Sequence, residues 1–218
     1  MKSSLIIMTV IITSLLSVGF AHSKCLEGDC RNGKGLLEFE GGERYEGEFK
    51  EHMPHGQGTL TFPDGARYTG EFVMDEFSGQ GIYDFPNGER YEGQFLKNKR
   101  SGQGILTYPD GKKYVGMFEN DQKHGLGILS FPDGTVYEGE FVAGAAQGEG
   151  TLTSPKGEKY VGDFVNGLPN GHGIMKYADG SSFDGEWKDN VPTGQGMYTY
   201  PDGKRIKGFF RDGNYIGE

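Results

Sequence analysis

The sequence predicts an all-β protein: an elongated single-sheet solenoid of stacked antiparallel β-hairpins, each 23 residues long. Three observations carry that prediction. Glycine supplies 39 of the 218 residues, aromatic residues reach 13%, and both recur on one fixed 23-residue ruler. Helical bundles do not tolerate so much glycine, which costs about 1 kcal/mol relative to alanine in a helix. Collagen would need glycine at every third position, and disordered chains are poor in aromatics.

The first element, residues 1–23, differs from the rest. Lys2 supplies a positive start, an apolar run extends from Leu5 to about Phe20, and Ala21-His22-Ser23 offers small residues at a cleavage site. That is the anatomy of a secretory signal peptide. An uncleaved anchor is the alternative. The run is short and broken by Thr9, Thr13, Ser14 and Ser17, whereas a spanning helix needs about 20 apolar residues. Export to the periplasm, cell surface or medium is expected.

Residues 24–32 form a short N-terminal segment holding both cysteines, Cys25 and Cys30. In an oxidising compartment so close a pair reads as a small disulfide capping the array, since zinc would need about four ligands and no cluster supplies the others. The alternative is a lipid anchor on Cys25. Lys24 and His22 sit where such a signal wants small and aliphatic residues.

Residues 33–218 contain about eight copies of the repeat. Tyr45, Tyr68, Tyr91, Tyr114, Tyr137 and Tyr160 stand one period apart, and Phe183 and Ile206 continue the count. Four residues after each comes Phe49, Phe72, Phe95, Phe118, Phe141, Phe164, Trp187 or Phe210. A glycine lies two residues after each tyrosine position, a G-x-G pair follows, and a turn glycine closes the unit; these positions absorb 33 of the 39 glycines. No G-x-G is then left to read as a phosphate loop, which also needs strand–loop–helix context.

Within a unit the pattern dictates a hairpin. Phe62 and Tyr68 flank Pro63-Asp64-Gly65, where proline presets φ and glycine accepts positive φ. A three-residue turn with a glycine bulge sets Tyr68 opposite Leu60, Gly70 opposite Gly58 and Phe72 opposite Gly56. Residues two apart share a face. Tyr68, Gly70, Phe72, Leu60 and Phe62 therefore fall on one side, and Thr59, Thr61, Thr69 and Glu71 on the other. The rings are expected to cover the bare glycine backbone opposite them. Single hairpins are marginal, so stacking must supply the burial, and the strand begun by Tyr215-Ile216-Gly217 leaves an edge open to pairing.

This pattern, Y-x-G-x-[FW] followed by G-x-G-x-L-x-[FY]-P-D-G, resembles the MORN (membrane occupation and recognition nexus) repeat. The resemblance covers residues 33–217, with local departures at Ser154, Lys156, Ala178 and Ile206. It implies a platform for assembly, and the family name implies membrane contact.

No catalytic, cofactor-binding or metal-binding residue stands out, and neither an enzyme activity nor a small-molecule substrate is expected. His52 and His55 read as solvated residues of a loop between strands. Asp64, Asp110, Asp133, Asp179 and Asp202 suit their turns, and each turn offers one carboxylate where calcium wants six to eight oxygens. Acids outnumber bases 31 to 22; with no sustained basic stripe, nucleic acid is not an expected partner. Three functions remain. The favoured one is a non-catalytic scaffold presenting an extended surface to a protein partner or to itself. Membrane-surface association, by lipidation or phospholipid binding, is opposed by the acidic charge. Glycan binding would need rings such as Tyr91 and Phe95 to be open to sugars.

Overall fold

The computed structural model describes residues 23–218, so the signal-peptide reading of residues 1–23 lies almost wholly outside the described residues. The described residues contain strands and turns and no helix. Two short strands open the chain, β1 (Lys24–Gly28) and β2 (Lys34–Glu38). From there, strands of seven and nine residues alternate. They are β3 (Arg44–Lys50), β4 (Met53–Thr61), β5 (Arg67–Val73), β6 (Glu76–Asp84), β7 (Arg90–Leu96) and β8 (Lys99–Thr107). Next come β9 (Lys113–Glu119), β10 (Gln122–Ser130), β11 (Val136–Val142), β12 (Ala145–Thr153) and β13 (Lys159–Val165). The series ends with β14 (Leu168–Lys176), β15 (Ser182–Lys188), β16 (Val191–Thr199), β17 (Arg205–Arg211) and β18 (Asn214–Gly217). Each strand pairs antiparallel with the one before it, from β1–β2 through β17–β18, giving one open meander.

The register is the one expected. Leu60 faces Tyr68, Gly58 faces Gly70 and Gly56 faces Phe72. Around Pro63-Asp64-Gly65 the Phe62 amide donates to the Ala66 carbonyl at 2.9 Å and the Gly65 amide to Phe62 at 3.0 Å. Gly65 holds φ +90°, and Asp64 Oδ1 accepts from the Ala66 amide. The same bond recurs at Asp110, Asp133, Asp179 and Asp202, so the turn aspartates fasten their turns.

The other end of each hairpin departs from the expected loop. It is a two-residue turn, as at Met74-Asp75, where both residues take positive φ (51° and 68°). That is the type I′ geometry matching strand twist. His52 sits in such a turn, but His55 lies within β4. The first glycine of each G-x-G is also not a plain strand residue. Gly79 has φ +55° and lies at a bulge, where pairing jumps from Gly70–Gly81 to Glu71–Ser78. Bulges bend strands. Phe77 and Tyr83 are six positions apart along β6, about 20 Å in an extended strand, yet their ring centroids are 6.1 Å apart. The sheet therefore folds along the row of bulges, and the two-residue turns swing back over the aromatic face.

Further contacts between units follow from the bend. The second turn residue donates its amide to a carbonyl of the preceding unit: Asp75 to Pro54, Asn98 to Phe77 and Asp121 to Arg100, each at 3.1 Å. The N-terminal segment supplies the same bond for the first turn, with the Arg31 carbonyl accepting from His52 at 2.9 Å. Cys25 and Cys30 are joined as a disulfide across that segment.

Candidate binding surface

Two faces are available, and they differ in kind. The inner face holds the repeated rings. Tyr45, Phe49, Tyr68, Phe72, Tyr91, Phe95, Tyr114, Phe118, Tyr137, Phe141, Tyr160, Phe164, Phe183 and Trp187 are all buried. They form one continuous ladder: Tyr91 meets Phe95 and, in the next unit, Phe118, both edge-on with centroids 5.0 Å apart. The glycines beneath are obligatory. A Cβ at Gly81 would lie 2.5 Å from the Tyr68 ring, and one at Gly70 would lie 2.6 Å from both Gly81 Cα and the Gln80 carbonyl.

Each tyrosine hydroxyl donates to the carbonyl three residues on, at the bulge where the ladder is interrupted. Tyr68 reaches Glu71, Tyr91 reaches Gln94 and Tyr114 reaches Met117, all at 2.9 Å. Burial raises these phenols above their ordinary range and pushes Tyr114, Tyr137 and Tyr160 up to about 12. Sugar stacking needs an open ring face, and Tyr91 is 0% and Phe95 6% exposed. These rings are the core of the fold.

The second residue past each two-residue turn lies over the rings like a lid, and here the units diverge. Pro54, Phe77, Arg100, Lys123, Ala146, Pro169 and Pro192 occupy this position, each opposite the unit's second aromatic. Phe77 stacks flat on Tyr68 at 3.8 Å. The Arg100 guanidinium stands 5.7 Å from Tyr91 and 5.5 Å from Phe118, and Lys123 Nζ is 5.4 Å from Tyr114, which is cation–π packing. Burial, followed by repulsion from Lys112 and Arg100, lowers Lys123 to about 8.

Turn residues respond to the lid. Asn98 Oδ1 accepts from the Phe77 amide at 2.7 Å, and Asp121 Oδ1 from the Arg100 amide at 2.9 Å. Asp75 sits opposite Pro54, which has no amide hydrogen. Its half-buried carboxyl rises to about 6 through desolvation.

The outer face is solvated and carries the variation. One row, two residues from the bulge line, reads Glu46, Thr69, Glu92, Val115, Glu138, Val161 and Asp184 on alternate strands. A second row, immediately before each tyrosine position, reads Arg44, Arg67, Arg90, Lys113, Val136, Lys159, Ser182 and Arg205. This basic row is a regularity that sequence reading missed, because tracking runs of adjacent charges hides a stripe whose members are one period apart. Glu38 pairs with Arg44 at 2.7 Å and Asp84 with Arg90 at 2.6 Å. No group of three or more His, Cys, Asp or Glu side chains placed to hold a metal occurs among the described residues.

The MORN repeat family model matches seven consecutive segments: residues 45–67, 68–90, 91–113, 114–136, 137–159, 160–182 and 183–205. Partial copies flank this run at β2 and at β17–β18. No curated protein matches the chain. Among solved structures, the TCP domain of Drosophila melanogaster SAS-4 (dCPAP), in complex with a proline-rich motif of Ana2, is 18% identical over 70% of this chain and 83% of that one, with TM-score 0.45. The G-box domain of the microcephaly protein CPAP is 16% identical over 82% of this chain and 100% of that one, TM-score 0.46. The TCP10 domain of Danio rerio CPAP with a STIL peptide is 18% identical over 84% and 96%, TM-score 0.30.

Proposed function

Because the chain belongs to the MORN repeat family, we propose that it works as a non-catalytic scaffold, outside the cytoplasm, that presents its outer face to a protein partner. One observation carries this reading. Ring and glycine positions that build the frame recur from unit to unit and are buried, whereas outer-face positions other than the basic row differ between units and are exposed or half-exposed. A repeating frame with a non-repeating surface suits recognition of an extended partner. The exported setting is supported by the composition of residues 1–23 and by the Cys25–Cys30 bridge, because disulfides persist in oxidising compartments. The lipid anchor on Cys25 ranks lower, because a sulfur held in the bridge would not be open to a lipid.

A second reading, contact with an anionic membrane, is favoured by the basic row from Arg44 to Arg205. It ranks lower because two of those arginines are paired and glutamates stand beside them. Fractionation of the producing cell, with cross-linking before capture of the tagged chain, separates the two. The scaffold reading expects a mature N-terminus near Lys24 and one reproducible protein cross-linked to outer-face lysines such as Lys113 and Lys159. Recovery in the lipid fraction with no cross-linked protein would overturn it.

A further inference from the structure

Most of the outer face mixes charged and polar side chains with single apolar residues such as Ile82 or with one pair, Val161 and Ile174, but apolar residues run together on three adjacent strands. Ile105 on β8 pairs with Val115 on β9, and Val115 pairs with Ile128 on β10. Met117 and Leu126 extend this row sideways towards the bulge line. Leu126 is 70% exposed, the most exposed of the large apolar side chains described, and Val115 and Ile128 stand open at 40% and 41%. A contiguous apolar patch rimmed by polar groups marks an interaction site.

The rim is acidic at both ends. Glu92 pairs with Ile105 on one side, Glu138 pairs with Ile128 on the other, and Glu140 lies opposite Leu126. Lys113 stands at the border nearer the three-residue turns. Glu92 and Glu138 are four strands apart, about 19 Å at ordinary strand spacing. Nothing in the frame requires these apolar residues. On β4 and β5 the equivalent positions hold Thr69 for Val115, Gln57 for Leu126 and Thr59 for Ile128, and those strands pair in the same register.

We infer that this patch on β8–β10 docks a protein segment with an apolar centre and a lysine or arginine at each end, the two cations about 19 Å apart. The inference rests on the scaffold reading and gives it a location and a partner chemistry. Charge selects the occupant. A second copy related by a two-fold axis through Val115 in the plane of the face would set Glu92 against Glu92 or against Glu138, carboxylate on carboxylate in either case. An anionic lipid surface would meet the same acidic rim.

The test uses sequence already tolerated by the fold. The triple variant Val115→Thr, Leu126→Gln, Ile128→Thr copies the earlier units and is expected to melt within a few degrees of wild type. The probe is a labelled peptide with an isoleucine-rich centre and arginines at both ends, read by fluorescence anisotropy, beside the same peptide carrying glutamates instead. Wild type should bind the arginine peptide at least tenfold tighter than the glutamate peptide, and the triple variant should lose tenfold or more. Glu138→Gln with Glu140→Gln should weaken binding and flatten its salt dependence. Equal binding of the arginine peptide by wild type and triple variant would overturn the inference and reduce the effect to general attraction by an acidic surface. Pelleting with phosphatidylcholine vesicles that the triple variant abolishes would overturn it in favour of a membrane patch. If the patch fails while cross-linking still captures a protein on the outer face, the scaffold reading survives with another location. If both fail, neither stands.

Discussion

Each hairpin has two ends, and they are built on different principles. At the Pro-Asp-Gly end the turn is self-contained: the Gly65 amide donates to the Phe62 carbonyl, the Asp64 carboxylate accepts from the Ala66 amide, and Gly65 has no heavy atom within 4 Å of an added Cβ. At the bulged end nothing is local. Gly70 and Gly81 lie back to back under the Tyr68 ring, the Tyr68 hydroxyl spans the bulge, and the turn amide bonds to the preceding unit. The first end closes a hairpin, and the second makes an array of hairpins.

Substitutions at the two ends should differ in size accordingly. Gly70→Val forces a side chain between backbones 2.6 Å from the would-be Cβ and is expected to cost about 3 kcal/mol or more, enough to melt the surrounding units in thermal denaturation. Gly65→Ala at the self-contained end meets no clash and pays only for positive φ, about 1 kcal/mol. Equal losses would erase the distinction. Tyr91→Phe removes the hydroxyl from the Gln94 carbonyl and should cost about 1 kcal/mol, while Phe183, which lacks a hydroxyl naturally, shows that the ring alone supports the fold. Gly167, in a two-residue turn with open space but φ +85°, should resist valine more than its surroundings suggest.

Two smaller effects concern the bulged end and depend on pH. Lys123 is held below its ordinary value, at about 8, so the fold disfavours its charge. That penalty is complete below pH 8 and fades as pH climbs towards the unfolded value of about 10.4. Lys123→Met should therefore raise the melting temperature at pH 7, with the advantage shrinking above pH 8. For Asp75 the sign is opposite. Its folded value of about 6 lies above the unfolded value of about 3.9, so stability falls as pH rises between the two and is flat beyond. Asp75→Asn should stabilise at pH 7.5 and do little at pH 4; the group is partly solvated, so the gain should stay within about 1 kcal/mol. Pro54→Ala, which returns an amide hydrogen to face the carboxylate, should bring the Asp75 titration down in NMR. No movement would separate the lid from the turn it covers.

The same contrast sets what the sequence revealed. The three-residue turn was legible down to individual partners, because Pro63, Asp64 and Gly65 carry their conformations in their own chemistry and alternation then assigns every side chain to a face. The bulge was not legible, because its determinant is the meeting of Ser78 and Gly79 with Glu71 on the neighbouring strand, and glycine in a strand announces permission without direction. The lids were hidden for a further reason. Pro54, Phe77, Arg100 and Lys123 share a position and no chemistry, so no pattern links them until the bend places each above the rings. The disulfide could be expected from spacing; that its segment imitates a preceding unit could not. The outer patch was in plain view as Val115, Leu126 and Ile128, but it became contiguous only once register set those strands side by side.

The turn-to-carbonyl bonds also have a polarity. Every one runs from a turn to the unit made before it, and the first runs to the disulfide-bearing segment at the start of the described chain, where the Gly33 and Arg31 carbonyls accept from Phe49 and His52. Each docking surface is thus complete before the element that needs it arrives. A polypeptide threaded through a membrane from its N-terminus would deliver its units in that order, each settling on a finished template while the next is still in transit. The array would then assemble like a closing zip, its slider moving with the emerging chain, and would expose at any moment about one unfinished sheet edge.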